Sequence, residues 1–293
     1  MPNRILGVVL ASLFVAAAAA PLRAAANTEA LARGDAAWAR RAEGQTDGKA
    51  AAAPIAEAIA AYEEALTTEP ESLETRARLL RALWFQGEYA TADNAGKQKV
   101  FEHGKAVGEL GLDQIAARAK KTRSAIDEGS PEAVAEAVRP VTGAAPIFFW
   151  SAVHWGLWGD AFGKFAAARQ GVAGKIRDRC LVLLQLDEKL EQGGGHRVLG
   201  RLHAVAPHVP FITGWIDRRT AIAQLRQALV FGPEDPLNRQ YLGEALLEYG
   251  DSAGKSEARA VLQAIVDHAI GTDQIVEWSA AQSVARQLLG SAH

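Results

Sequence analysis

Hydrophobic residues recur every three to four positions along most of the chain, which is the period of an amphipathic helix. We find no convincing stretch with the two-residue alternation of a half-buried strand. Two segments also share one pattern, in which a small residue, a large one, a second small one and a proline follow one another at spacings of 4, 3 and 5 residues. The residues are Ala58, Tyr62, Ala65 and Pro70 in the first segment, and Ala221, Leu225, Ala228 and Pro233 in the second. The pattern therefore predicts a helical chain with a repeated helical unit.

This spacing is typical of the second helix of a tetratricopeptide (TPR) unit, where small residues let two helices approach closely and proline ends the helix. The register of about 34 residues per unit continues past both prolines. It places hydrophobic or small residues on the first helix of each following unit: Leu79, Leu80 and Leu83, and Leu242, Gly243 and Leu246. We therefore predict an all-α fold, a right-handed superhelix of TPR-like antiparallel helix hairpins. An unrelated α-helical bundle with chance alanine spacing is the alternative.

Helix boundaries are predicted from capping residues, glycines and prolines. In the first half of the chain, helices are predicted over 28–43, from Pro54, over 91–109, over 113–127 and after Ser130. In the second half, they are predicted over 145–155, 160–170 and 174–191, over 196–205 after a break at Gly193-Gly194-Gly195, from Asp217, and over 273–289. Nothing marks a domain boundary, so residues 27–293 are predicted to form a single TPR-like domain.

The start of the chain has the layout of a secretory signal peptide. Arg4 precedes an uncharged run from Ile5 to Ala20, and Ala24-Ala25-Ala26 supplies small residues for cleavage before Asn27. An uncleaved anchor is the alternative, but sixteen helical residues reach only about 24 Å of the ~30 Å hydrocarbon core. Residues 1–26 are therefore predicted to be removed, which leaves a periplasmic chain with no transmembrane span.

The composition excludes several classes of function and of binding site. The net charge is −2, so no global basic field is available to hold nucleic acid. Cys180 is the only cysteine, which excludes an internal disulfide, a multi-thiolate metal site and an N-terminal lipoprotein anchor. Enzyme motifs such as G-x-S-x-G and H-E-x-x-H do not occur. We expect a non-enzymatic protein with no cofactor and no metal.

An aromatic segment around residues 148–165 is the first candidate for ligand contact. Trp150, His154 and Trp158 follow one another at intervals of four and share a helical face, and Trp155 lies between them. Aromatic residues at this spacing usually pack in a core. The alternative is an apolar channel with His154 as its polar tip. His154 is also the main candidate if the helical scaffold hides a hydrolase.

A second candidate segment reads GGGHRVLGRLHAVAPH, from residue 193 onward. No Gly-Lys-Ser/Thr follows the glycines and no strand precedes them, so a nucleotide site is not expected. Arg197 and Arg201 are four residues apart and share a helical face, where they can contact a carboxylate or a neighbouring Glu. His196 and His203 lack further ligands nearby and are not expected to hold a metal.

The chain resembles the TPR-like T component of TRAP transporters, the TatT family. The resemblance covers about residues 50–270 and rests on IFFWSAVHWGLWGDA, GGGHRVLGRLHAVAP and LRQALVFGPEDPLNRQYLGEALL. It implies a periplasmic all-helical protein that docks the substrate-binding P component of a TRAP transporter, and it leaves open a homo-oligomer with a hydrophobic-lined pore. Members are often lipoproteins, and this chain lacks the lipidation cysteine.

Two main functional hypotheses follow. In the first, the protein is a TRAP accessory that docks a substrate-binding protein and helps pass it a small carboxylate or hydrophobic ligand. The candidate contacts are Trp150, His154, Trp155, Trp158, Arg197 and Arg201. In the second, it is a general cell-envelope scaffold that holds a peptide or protein in a concave groove.

Overall fold

The computed structural model describes residues 25–272 and 274–291. The predicted all-α fold is confirmed: the described residues form helices and no strand, with one isolated antiparallel bridge between Thr46 and Lys49. Residues 1–24 of the predicted signal peptide lie outside the described part. None of the described helices is long and apolar enough to cross a membrane.

The helices follow one another with short connections. The first seven are α1 (25–39), α2 (Ala52–Thr68), α3 (Leu73–Phe85), α4 (Asn94–Arg118), α5 (Arg123–Glu128), α6 (Pro131–Val138) and α7 (Ala144–Phe162). The next seven are α8 (Lys164–Arg169), α9 (Val172–Leu186), α10 (Leu190–Val205), α11 (Arg218–Phe231), α12 (Pro236–Tyr249), α13 (Ser252–Val266) and α14 (Ile275–Ser291). A five-residue π-helix, Gln86–Ala90, extends α3.

Local chemistry sets many of the helix starts. The side chain of the residue before the helix accepts a backbone N–H at the starts of α3, α4, α5, α6, α11, α12 and α13. Each such cap satisfies a donor that has no partner inside the helix. Pro131 and Pro236 occupy the first turns of α6 and α12, where their missing N–H costs nothing. The predicted start at Asp217 is confirmed, because Asp217 caps α11.

The residues of the repeated spacing pack where helices meet. The small and large positions are fully buried in both segments: Ala58, Tyr62 and Ala65 on α2, and Ala221, Leu225 and Ala228 on α11. Helix α2 packs on α3, and α11, α12 and α13 pack in sequence. The spacing therefore marks the helix contacts, while the right-handed TPR-like superhelix stays a prediction.

Helix α7 lies at the centre of the fold. It packs on α3, α4, α9 and α10, and its buried residues surround the whole helix rather than one stripe. A helix that is apolar all round is expected in the interior. The aromatic segment is thus the central helix, and its large side chains fill the space between four neighbours.

Helix α4 approaches α7 through a stripe of three glycines. A Cβ on Gly104 would overlap the imidazole of His154, and one on Gly111 would lie 2.8 Å from Cγ2 of Ile147. Gly108 faces Ser151, where a Cβ would come within 3.0 Å of Oγ. The two helices can therefore pack this closely only because the stripe has no side chains.

Two predicted helix breaks are wrong. Residues 91–109 and 113–127 were predicted to be separate helices, but α4 runs through Gly111 and only the short α5 follows it. Likewise α7 continues from Ala144 to Phe162, through the predicted end at residue 155. In both places glycine serves close packing or is tolerated inside a buried helix, because tertiary contacts outweigh its low helix propensity.

The last helix returns to the first part of the chain. Arg41, just after α1, forms a largely buried ion pair with Glu277 of α14, at 3.4 Å between Nη2 and Oε1. Val276 belongs to the same hydrophobic cluster as Ile55 of α2. Gly48 packs so closely on α14 that a Cβ would lie 2.5 Å from the backbone nitrogen of Ala280. These contacts join α14 to α2 and to the segment that follows α1.

The glycine stripe yields a test of the α4–α7 contact. In Gly104→Ala, the added methyl must displace the His154 imidazole, and we expect the free energy of unfolding to fall by about 1–3 kcal/mol. Gly174→Ala on α9 is the control, because its Cβ would have open space. The control should be neutral or stabilising by up to about 1 kcal/mol. Urea unfolding measures both; equal stability of the two variants would contradict the close contact.

Candidate functional site

The predicted aromatic contacts lie in the core. Trp150, Trp155 and Trp158 are only 4%, 3% and 5% exposed, and His154 is fully buried. Of the two interpretations of this segment, the structure supports core packing. An apolar channel lined by these side chains has no basis in their positions.

Two of the three indole N–H groups of this helix donate to acids of α4. Nε1 of Trp155 donates to Oε1 of Glu109 at 2.5 Å, and Nε1 of Trp158 donates to Oε2 of Glu102 at 2.5 Å. Burial alone would raise the pKa of Glu109, but the charge of Arg179 and the hydrogen bonds from Trp155 and Arg123 lower it to about 2. These side chains are occupied by contacts within the protein.

His154 is a structural group. Its Nε2–H donates to the carbonyl oxygen of Leu80 at 2.9 Å, which ties α7 to α3. Burial lowers the pKa of His154 to about 4, against the opposing effect of the bond to Leu80. Nδ1 is buried against Gly104 and has no hydrogen-bond partner among the described residues. The imidazole is therefore neutral at pH 7 and out of reach of a ligand.

Arg197, the first of the two predicted anion contacts, is also buried. Its Nη1 donates to Oδ2 of Asp235 at 3.1 Å and to Oδ1 of Asn238 at 2.9 Å. It also donates to the carbonyl oxygen of Glu191 at 3.3 Å. The prediction that Arg197 contacts a ligand therefore loses its structural basis, because its partners belong to the protein.

This network supports an unusual turn at the start of α10. Glu191, Gln192 and Gly193 all adopt left-handed φ angles of 50°, 56° and 78°. Such angles strain residues that carry a Cβ. Nδ2 of Asn238 donates to the carbonyl oxygen of Gln192 at 2.9 Å. Asn238 and Arg197 therefore both stabilise the turn. The break predicted at the three glycines exists, but it falls at residues 191–193, within the range of α10.

Arg201, the second predicted anion contact, reaches solvent. It lies one turn after Arg197, its side chain is 39% exposed, and its Nη1 donates to Oε2 of Glu244. The guanidinium lies over the ring of Tyr241, at 4.6 Å from the ring centre. Arg201 is the one predicted contact residue that stays accessible.

Charged and polar side chains of five elements are linked to Arg201, either by direct contact or by the effect of its charge on their pKa values. We define the Arg201 cluster as Glu88 of the π-helix, Lys97 of α4, Asp160 of α7, Arg201 of α10, and Tyr241 and Glu244 of α12. Nζ of Lys97 lies 3.9 Å from Oε1 of Glu88. Asn94 and Gln98, which flank Lys97, both donate to the carbonyl oxygen of Ala161, next to Asp160. These contacts join the Glu88 and Asp160 sides of the cluster.

The charges of the cluster act on one another. Burial raises the pKa of Glu88, and the negative charge of Asp160 raises it further. The positive charges of Lys97 and Arg201 lower it in part. Burial also raises the pKa of Asp160, and Arg201 opposes it. Asp160 is nevertheless accessible to water.

Sequence reasoning found only Arg201 of this cluster. Its other members are single polar residues on separate helices, and their spacing carries no signal. A π-helix is often found at functional sites, but Gln86–Ala90 reads in sequence as an ordinary turn. Among the described residues, no group of three or more His, Cys, Asp or Glu side chains is placed to hold a metal.

Comparisons with known proteins add no relative. No protein-family model matches the chain, and a search of curated proteins finds no significant match. The resemblance to the TatT family therefore rests on the quoted sequence segments alone, and it stays a prediction.

The buried position of His154 predicts a pH dependence of stability. The folded-state pKa of about 4 lies below the ordinary value of 6.5, so between these values the unfolded chain binds a proton that the folded chain does not. The free energy of unfolding should therefore fall as the pH falls from 6.5 towards 4, by up to about 1.4 kcal/mol per unit.

Urea unfolding of wild type and His154→Gln between pH 7.5 and 4.5 measures this effect. The variant should have a shallower slope, with the remainder coming from groups such as His203, whose pKa burial also lowers, while His103→Gln, which changes a half-exposed imidazole, should keep the wild-type slope. A slope that persists unchanged in His154→Gln would show that this imidazole is not its source.

Proposed function

We propose that the protein is a non-enzymatic periplasmic accessory of a TRAP-type transport system, which docks a substrate-binding protein and helps pass it a small organic ligand. The observation that carries this proposal is the Arg201 cluster. Its accessible polar side chains, from five elements, are of the kind that supply the few polar contacts of a small-molecule site.

The Arg201 cluster accounts for ligand contact without the buried tryptophans. Arg201 and Lys97 offer N–H donors, and Glu88 and Asp160 offer carboxylate oxygens, all on accessible side chains. A polar organic molecule could bind there through several hydrogen bonds at once. The ligand-contact part of the sequence hypothesis therefore moves from the aromatic helix to the Arg201 cluster.

A rigid apolar turn supplies a surface for the partner. Phe211 is fully exposed and adopts a left-handed φ of 67°, and Ile212 beside it is 68% exposed. The hydroxyl of Thr213 fixes the turn, because it donates to the carbonyl oxygen of Pro207 at 2.6 Å and accepts from the backbone of Val209 at 2.9 Å. We call residues 207–213 the Phe211 turn.

An aromatic side chain held outward by a strained, cross-linked turn suits a protein interface. Aromatic residues dominate the energy of such interfaces when they enter a pocket of the partner. The strain at Phe211 costs on the order of 1–3 kcal/mol, which a purely connecting loop would not need. We therefore assign the docking of the substrate-binding protein to the Phe211 turn.

The general envelope scaffold is the alternative, and the Phe211 turn would serve it as well. The two functions differ in the partner. A transport accessory captures one substrate-binding protein from the periplasm, whereas a scaffold captures secretion or cell-wall proteins.

Substitution of Phe211 tests the docking. Tagged protein and the TRAP-type substrate-binding protein of the same organism are mixed at low salt, and binding is measured by surface plasmon resonance. We expect wild type to bind, and Phe211→Ala to weaken binding by about 2 kcal/mol or more, because the anchor is removed. Phe165→Ala on α8 is the matched control, since its side chain is 78% exposed but lies outside the turn.

Absence of binding by the wild-type protein would contradict the transport function. Equal losses in Phe211→Ala and Phe165→Ala would contradict the assignment of the docking surface to the turn.

A further inference from the structure

A recess opens at the surface where the ends of α4 and α6 lie side by side. Its volume is about 370 Å³. One wall comes from the end of α4 and the two residues after it, and the other comes from the end of α6 and the loop that follows. Sites for small ligands typically measure about 300–1,000 Å³. The recess is therefore large enough for a small organic molecule.

Positive charge without a matching acid distinguishes this recess. Arg118 and Lys120 line it, and its lining contains no Asp or Glu. The ammonium group of Lys120 forms no ion pair or hydrogen bond with any residue that the structure describes. The recess therefore has at least one charge that the protein leaves unmatched.

Arg118 keeps most of its donors available. Its Nη2 donates to the carbonyl oxygen of Glu71, and the carboxylate of Glu71 lies 3.9 Å from the same nitrogen. That carboxylate is largely exposed, so its pairing with Arg118 is weak. Nε and Nη1 of Arg118 have no acceptor among the described residues. The bond to Glu71 thus holds the guanidinium in place without using it up.

Lys120 occupies a backbone position that favours glycine. The backbone N–H of Lys121 bonds to the carbonyl oxygen of Ala116 at 2.9 Å, which closes the end of α4. In this turn the φ angle of Lys120 is 54°, where glycine is the usual residue because it has no Cβ. A positive charge suits the end of a helix, but it would do so from the preceding turn without this strain. The strained position instead brings Lys120 to the wall of the recess.

The remaining walls supply one hydroxyl group and an apolar surface. Thr142 lines the recess, and its hydroxyl bonds to no described residue, so it can donate to a ligand. Ala137, Pro140 and Val141 contribute apolar side chains to the same walls. The recess thus combines two positive charges and a hydroxyl donor with a surface for carbon atoms.

These groups select a ligand by its charge and its carbon skeleton. Both bases would repel a cation, and a neutral molecule would leave their charges unmatched. Inorganic phosphate would match the charges but leave the apolar walls in water. An organic molecule with two negative charges satisfies both parts of the recess, and its hydrogen bonds from the bases are about twice as strong as those between neutral groups.

We propose that this recess binds a small organic dianion, with its negative charges on Arg118 and Lys120 and its apolar part on the wall around Pro140. A dicarboxylate and a phosphate monoester both have this chemistry. The site goes beyond the proposed function and is separate from the Arg201 cluster. Lys97 of that cluster and Arg118 lie near opposite ends of α4, about 30 Å apart along the helix axis.

Compounds built on one ring test the ligand class. Isothermal titration calorimetry of the purified protein compares phenyl phosphate and phthalate, which carry two negative charges, with benzoate, which carries one, and benzyl alcohol, which carries none. Inorganic phosphate lacks the ring. We expect phenyl phosphate or phthalate to bind about tenfold or more tighter than benzoate and inorganic phosphate, because only an organic dianion uses both bases and the apolar wall. The tighter of the two identifies the charged group as phosphoryl or carboxylate.

Substitutions assign the binding to the recess. Lys120→Gly removes the ammonium group and relieves the left-handed strain, so it should weaken binding of the preferred dianion about tenfold without lowering stability in urea. Arg118→Gln should weaken the same binding to a similar extent. Lys121→Gln is the matched control, because Lys121 is exposed beside Lys120 but does not line the recess. The control should bind as the wild type does.

Two results would overturn this proposal. One is that benzoate binds as tightly as the better dianion, or that no compound binds. The other is an equal loss of affinity in Lys120→Gly and Lys121→Gln, which would indicate attraction by the basic surface as a whole. Neither result bears on the docking of the substrate-binding protein, which is tested at the Phe211 turn.

Discussion

The close contact between α4 and α7 is the constraint on which the rest of the structure depends. Gly104, Gly108 and Gly111 leave room for the backbones to approach, and α7 fills that space with His154, Ser151 and Ile147. The contact fixes the central helix, and α3, α9 and α10 pack around it. Interiors are packed to crystal density, so a displaced central helix would move each of these neighbours. The Arg201 cluster includes Lys97 of α4 and Asp160 of α7, so its geometry depends on this contact.

The helical class and much of the helix packing could be predicted from sequence, because they follow from local periodicity. The repeated alanines and their partners on α2 and α11 are fully buried, as the spacing requires. The course of α4 could not be predicted in the same way. Gly111 reads as a helix breaker in isolation, and only the presence of α7 beside it explains why the helix continues.

The candidate site shows the same limit more sharply. Arg197 and Arg201 share a helical face in sequence, yet Arg197 is buried against Asp235 and Asn238 whereas Arg201 reaches solvent. Their difference depends on residues about forty positions away, which no local pattern contains. The aromatic segment left core packing and a ligand channel as alternatives in sequence, and the structure buries it, with the indole nitrogens of Trp155 and Trp158 bound by acids of α4. The proposed site therefore rests on accessible charge rather than on aromatic content.

The contact between the start of the chain and α14 changes how the molecule should unfold. In an open helical repeat each unit contacts only its neighbours, so the ends fray first and the array can unzip unit by unit. Here Arg41, Gly48 and Val276 join the two ends, and each end acts as the cap of the other. Fraying at either end must break these contacts between the two ends as well as the local helix contacts. They therefore couple the stability of the first helices to that of the last one, and they favour a cooperative unfolding transition over a gradual loss of terminal helices.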